Sequence, residues 1–430
     1  QMRDFTVMRP LMAEGRLPHM ASLIERGVGV VLRKPSEYNA SPVLWTSIMT
    51  GVLPDEHGVL NFAKREGGQL SVYQSNDRLV PALWNLVDAQ GGSSGVVGVW
   101  NTWPAEVLNG YVVSDRFPHS LYERSLEASG ADGSEWGIVY PPELTDELAP
   151  FSLAPSAIRR EDIETLGAFT DAEWDELLNG GRDDGPTVGN GLVSLKFGWQ
   201  AQESVAGAAL HMLKTRAQPD FFTVFLELPD RASHHFWHAY QPEQVKGGPE
   251  AVEAEWRERW AEVVPRSYER TDWWIGQMLA ELDEDTTVLV VSDHGFQTSR
   301  SPGGSLDDLS KINHSGVHHD DGILLAAGPA ITPGVREAAH ILDVAPLVML
   351  ALGLPGSQRF AGQRRSPFAD ADFLRAHPPG APVDYDRLMQ GESRELEVDA
   401  AQMDEAYIEH LRQLGYVDAS GNVLADDMDG

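Results

Sequence analysis

TTVLVVSDHG, residues 286–295, decides how this chain is read. Val288, Leu289, Val290 and Val291 run without polar alternation, the pattern of a parallel strand covered by helices on both faces. The run stops at Ser292, Asp293, His294 and Gly295. Ligands of open α/β sheets sit at the carboxyl ends of such strands. An Asp beside a His is costly to desolvate there unless a metal, a partner or a substrate compensates it. Taken alone, the same residues also fit an Asp capping the next helix beside a His bonded to backbone, so other stretches must decide.

Three other stretches supply similar chemistry. PDFFTVFLELPD, 219–230, repeats the pattern as an apolar strand ending in Asp230, and His234 follows four residues later. One helical turn would bring those two side chains to one point. SGVHHDDGILLAAGP, 315–329, places His318 and His319 just before another apolar run. Ser41 and Pro42 precede the helical pattern of residues 43–50, which makes Ser41 a helix N-cap with Pro at the first helical position. A hydroxyl in that place also faces orphan amides and the positive end of the helix dipole, a site for a phosphoryl group. Thr46 and Ser47 are the neighbouring hydroxyls.

Around these stretches, 5–27 reads as one or two helices broken near Gly15 and Pro18, and 27–34 as a strand. Residues 79–91, 193–217 and 249–283 read as helical, and 95–100 and 110–115 as strands. Trp256, Trp260, Trp273 and Trp274 read as packing residues. Periodicity weakens over 118–192, expected to be a loop-rich cap over the ligand edge of the sheet. The domains are then a core of 1–117 and 193–364, the cap, and a C-terminal linker and amphipathic helix over 365–430.

Composition narrows the chemistry. A formal charge of -32 argues against nucleic acid polymers and anionic membranes as partners, because both are held by many Lys and Arg contacts. An anionic small molecule must therefore meet a local positive site, which metal ions can supply. With 0 Cys there is no disulfide, thiolate nucleophile or Cys-ligated zinc. Metal sites must use His, Asp, Glu and hydroxyls, a donor set suited to zinc or manganese. The apolar stretch from Ile341 carries Asp343 and Pro346 and falls short of the roughly 18 to 20 residues a membrane span needs. A cytoplasmic location is expected, and oligomeric state is not legible.

The order and spacing of these motifs resembles a known family. GRLPHMASLIERG (15–27), SPVLWTSIMTGVLPDEHGV (41–59), WNTWPAE (100–106), DRASHHFW (230–237), VVSDHGF (290–296), GVHHDDGILLAAGP (316–329) and ILDVAPLVMLALGLP (341–355) follow one another as in the alkaline phosphatase superfamily. The branch they resemble is the type I phosphodiesterase and nucleotide pyrophosphatase family. The resemblance covers nearly the whole chain. It implies an α/β alkaline phosphatase-like three-layer sandwich, a mostly parallel sheet with helices on both faces, plus the cap insertion. It further implies a hydrolase of phosphate esters that works through two divalent metal ions, zinc before manganese, and a covalent phosphoseryl intermediate.

Carried over by motif, the nucleophile is Ser41, chosen over Thr46 and Ser47 by its spacing to Gly51. One metal falls to Asp230, His234 and His318, with His319 as the alternative to His318. The other falls to Asp293, His294 and Ser41. Asn61 is a weak candidate for a phosphoryl oxygen, and Phe236, Trp237 and Tyr240 for substrate size. Two departures stand out. Pro42 comes one residue earlier than the family's proline, and the family's further Asp ligand, in a DG pair ending a first strand, has only Gln1 and Met2 near its place. The chain is therefore expected to be a fragment lacking that strand. A sulfatase would need a formylglycine motif where Val43 and Leu44 stand, a metal-dependent phosphoglycerate mutase would need a longer insertion after the nucleophile, and an impaired binding protein would keep the fold without turnover.

Overall fold

A computed structural model describes residues 5–66, 69–118, 137–154, 157–179, 191–245, 247–252, 254–299, 315–363, 366–389, 407, 408, 411, 412 and 417. Helices α1 (Met8–Ala13) and α2 (Pro18–Arg26) break where Gly15 and Pro18 demand it and lead into β1 (Val28–Arg33). Helix α3 (Ser41–Thr50) ends at Gly51, whose φ of 69° is the left-handed conformation that glycine adopts without cost. The short α4 (Pro54–His57) follows, then a hairpin of β2 (Ala63–Glu66) and β3 (Gln69–Val72), and then α5 (Leu83–Ala89). Strands β4 (Ser94–Val97), β5 (Gly110–Val113) and β6 (Val139–Tyr140) precede the long helix α6 (Gly191–Thr215). Next come β7 (Phe221–Val224), α7 (Leu228–Tyr240) and α8 (Val263–Leu279). Strands β8 (Val288–Val291), β9 (Gly295–Thr298), β10 (Gly316–His319), β11 (Asp321–Ala327) and β12 (Ala339–His340) close the core, with α9 (Val344–Ala351) after them.

Two four-stranded sheets result, with orders β12-β1-β11-β8 and β6-β5-β4-β7. Strand β11 shows why the architecture is layered. Its Leu324 and Ala326 join one hydrophobic core with α3, α5 and α9, while Ile323, Leu325 and Ala327 join another with α1, α2, α7 and α8. Alternate residues of a strand point to opposite faces, so helices must cover both. In the other sheet Val96 and Val112 face the first core, and Val97 and Val113 face a third core built on α6. This is an α/β sandwich of the expected class.

Several expectations change in detail. β8 pairs antiparallel with β11, Leu324 opposite Val291, so the DHG strand is not parallel to its neighbour. Its unbroken apolar run reports burial on two faces and carries no information about strand direction. β1 is likewise antiparallel to β11, while β4 is parallel to both β5 and β7, which makes the sheets mixed. The strand expected to end in Asp230 ends at Val224, and Asp230 lies in the first turn of α7. Ser41 is not the N-cap of α3. The Ala40 carbonyl accepts from the Val43 and Leu44 amides at 3.0 and 3.1 Å, which makes Ala40 the cap and Ser41 the first helical residue.

Residues 366–389, expected as linker, carry two short helices and bury Phe368 and Tyr385 in the first core. Of the expected C-terminal helix, residues 407, 408, 411 and 412 are helical, and Tyr407, Ile408 and Leu411 are buried. The described part of 118–192 lends β6 to the sheet edge, antiparallel to β5. Phe236 packs inside the second core against Trp260 rather than facing a substrate. Trp260 is fully buried and Trp273 is exposed, as packing residues would be. Among the described residues no helix is long and apolar enough to cross a membrane.

Candidate metal centre

Strands β7 and β8 each have a partner on one side only among the described residues. Residues that follow β7 (Phe225, Leu226) and residues of β8 (Val290, Val291) border one cavity of about 510 Å³. All four residues of β8 are only half-buried, which is unusual for an apolar strand in a core. Ser41, Asp230, Asp293 and His294 also line this cavity.

Each polar group is brought there by a different element. Asp230 and His234 lie one turn apart on α7, with the His234 Nε2 3.6 Å from the Asp230 Oδ1. Asp293 and His294 sit in the turn after β8, where the Ser292 hydroxyl donates to the His294 carbonyl at 2.8 Å and accepts from the Ile323 amide at 3.2 Å. His318 comes from β10, opposite Phe296 of β9. Its Nε2 and that of His294 both lie 3.7 Å from the Asp230 Oδ1.

The imidazole tautomers follow from their partners. His234 Nδ1 faces the Gly316 carbonyl at 3.1 Å, His318 Nδ1 the Asn39 carbonyl at 3.1 Å, and His294 Nδ1 the Gly295 carbonyl at 3.2 Å. A carbonyl only accepts, so each Nδ1 carries the proton and each Nε2 presents a lone pair inward. Yet the Nε2 atoms of His234 and His318 are only 3.0 Å apart. Two lone pairs at that distance repel unless a proton or a metal cation lies between them. Two ligands each about 2.1 Å from a tetrahedral zinc are about 3.4 Å apart, close to these separations. The ligand atoms of Asp230, His234 and His318 all lie within 4.8 Å of one another, and the buried Asp230 Oδ1 and Asp293 Oδ2 have no hydrogen-bond partner. The donor set fits a divalent cation.

Charge in the pocket is redistributed accordingly. Burial opposes ionisation of Asp230, but the positive charge that His234, His318 and His294 carry when protonated outweighs it and holds its carboxyl well below the usual carboxylate range. Burial, reinforced by Asp230, pushes the Asp293 carboxyl up to about 7. Proximity of the Ser41 hydroxyl works against that rise, and Ser41 and Asp293 line the same cavity. Thr46 and Ser47 are instead spent inside the core. Thr46 Oγ1 donates to the Pro42 carbonyl at 2.7 Å. His57 Nδ1 accepts from the Val59 amide, so its Nε2–H donates to Ser47 at 2.9 Å and cannot act as a base toward it.

His319 lines the cavity wall, while His318 makes the ligand cluster. Asn61 is not among the residues lining the cavity, and its carbonyl accepts from the Phe62 amide at 2.9 Å. The three backbone carbonyls that fix the tautomers carry no sequence signal, since every residue offers one.

These shifts set the acid stability of the metal-free protein. Burial holds His57, His234 and His238 down to about 4, so between pH 4 and the unfolded value near 6.5 the unfolded chain binds more protons at all three. Asp293 has the opposite sign, because its raised value stabilises the fold at low pH and that contribution is lost as pH rises toward 7. His238 isolates one of these contributions: wild type should lose stability relative to His238→Phe as pH falls from 6.5 to 5, by at most roughly 1.4 kcal/mol per unit. Urea melts of both proteins in chelator at pH 5 and 6.5 check this, and midpoints that move in parallel would contradict it.

The chain belongs to the type I phosphodiesterase / nucleotide pyrophosphatase family, whose model matches residues 5–346. No curated protein matches the chain. Among similar solved structures is human ectonucleotide pyrophosphatase / phosphodiesterase 5, at 11% identity over 84% of this chain and 94% of that one, TM-score 0.42. A mutant of the alkaline phosphatase PafA is 12% identical over 83% of this chain and 96% of that one, TM-score 0.44. Phosphonoacetate hydrolase from Sinorhizobium meliloti, in complex with phosphonoformate, is 13% identical over 69% of this chain, TM-score 0.36. The chain spans 55% of that hydrolase's length.

Proposed function

We propose that this protein cleaves phosphodiesters or nucleotide pyrophosphate bonds of small molecules, with Ser41 as nucleophile and two divalent cations, zinc before manganese. The reading is carried by one observation: three imidazole lone pairs converge on a buried, unpartnered carboxylate oxygen beside the Ser41 hydroxyl. Asp230, His234 and His318 would hold one cation, and Asp293, His294 and Ser41 the other. Bound there, the cations supply the positive charge that an anionic phosphoryl group needs in so acidic a protein and ease deprotonation of the attacking oxygen.

The chain's own residues do the rest. Ser41 shares its cavity with Asp293, whose carboxylate would orient the hydroxyl toward phosphorus. Ser41 opens α3, where the helix dipole favours the developing negative charge. Attack by Oγ forms the Ser41 O–P bond as the bond to the leaving alcohol or nucleotide breaks, and leaves a phosphoseryl enzyme that still carries the substrate's other ester group; water then displaces the serine, so configuration at phosphorus is retained overall. The test is an acid quench during turnover of bis(4-nitrophenyl) phosphate, followed by peptide mass spectrometry. A 4-nitrophenyl phosphoryl group on the peptide carrying Ser41 is expected; its absence at every time point during active turnover would rule out the covalent route.

A further inference from the structure

Lys34 is a buried cation whose position has no explanation in packing alone. Its side chain is fully covered, whereas Asp320, the carboxylate beside it, is 54% exposed. Burying an ammonium costs several kcal/mol unless every proton finds an acceptor. Here each does: Nζ donates to the Tyr38 carbonyl at 2.9 Å, to Asn39 Oδ1 at 2.7 Å and to Asp320 Oδ1 at 2.8 Å. The Lys34 amide also donates to the Asp320 carbonyl at 3.1 Å.

Those acceptors belong to two segments. Tyr38 and Asn39 lie in the loop that runs from β1 to Ser41, and Asp320 lies in the turn directly after β10, two residues beyond His318. The same loop supplies the Asn39 carbonyl that accepts from His318 Nδ1 at 3.1 Å. One ammonium group thus joins the approach to the nucleophile to the strand carrying a candidate metal ligand.

We propose that Lys34 is a positioning residue: it fixes the 35–40 loop to the Asp320 turn, so that the Asn39 carbonyl keeps the His318 proton on Nδ1 and its unprotonated Nε2 turned toward Asp230. The inference rests on the metal reading above, and two readouts keep the two apart. The first is the tautomer of His318 in metal-free protein, from the nitrogen shifts of its ring. The second is affinity for Co(II), from its visible absorption during titration.

In wild type the His318 proton is expected on Nδ1. In Lys34→Met the tautomers mix, and Co(II) affinity falls about tenfold to a hundredfold, the usual effect of removing an outer partner of a ligand. On a His318→Ala background, Lys34→Met should cause no further loss of affinity. If Lys34→Met does not fold, Asp320→Ala, at an exposed position, carries the test with changes in the same direction. A folded variant with the wild-type tautomer and wild-type affinity overturns the proposal. A wild-type protein that takes up no Co(II) overturns the metal reading, and the His318 tautomer then decides the role of Lys34.

Discussion

Ser41→Gly should lose turnover of a chromogenic phosphodiester by on the order of a thousandfold or more, with little change in melting temperature. The two halves of that result come from different atoms. Ala40 caps α3 through its carbonyl, so the Ser41 side chain supplies no cap and its removal costs less than the roughly 0.5–2 kcal/mol of a lost N-cap. Ser41 instead lines the cavity with Asp293, where its hydroxyl is the proposed reacting group. Metal binding through Asp230, His234 and His318 should survive the change. Thr46→Val and Ser47→Ala serve as controls, because both hydroxyls are buried in contacts within the helix and with His57. These controls should cost stability but not the chemical step. A folded, metal-loaded Ser41→Gly protein with the wild-type rate would move the reaction to another residue.

The second large effect concerns the open edges of β7 and β8. Among the described residues each has a strand partner on one side only, and each borders the same cavity beside apolar residues such as Val7 and Met8. Sheets rarely leave such edges uncovered. A strand of about five apolar residues, the usual length, would pair with both edges. An Asp at its end would add a carboxylate beside Asp293, His294 and Ser41 and help offset the charge of a second cation. A synthetic peptide of that kind ending in Asp-Gly, added in trans, should therefore raise diesterase turnover and the melting temperature. The same peptide ending in Ala-Gly should raise the melting temperature alone. Equal turnover with and without the peptides would show that the edges have no bearing on the site.

Much of this was legible in the sequence because apolar runs that end in polar residues mark buried strands and their ligands. Asp293 and His294 sit where VLVV predicts, directly after β8, and the four-residue spacing of Asp230 and His234 becomes one turn of α7. Strand direction was not legible, since Val288–Val291 would look the same in a parallel or an antiparallel ladder. The cap assignment failed for a related reason. Ser-Pro before an apolar helix suits an N-cap, but the Ala40 carbonyl does that work and leaves no mark in sequence. Phe368 and Tyr385 lie in a Pro-rich, charged stretch whose composition resembles linker, and only the tertiary structure shows them in the core. The tautomers of His234, His294 and His318 depend on backbone carbonyls from distant segments, which no local pattern encodes.

The most direct test of the account is the metal content of the purified protein after loading with Zn(II) or Mn(II) and removal of free ion. Binding of at least one equivalent is predicted, with most of it lost in His234→Ala, because Asp230, His234 and His318 form a complete three-ligand group. Less than half an equivalent in wild type, or the same content in His234→Ala, would contradict it.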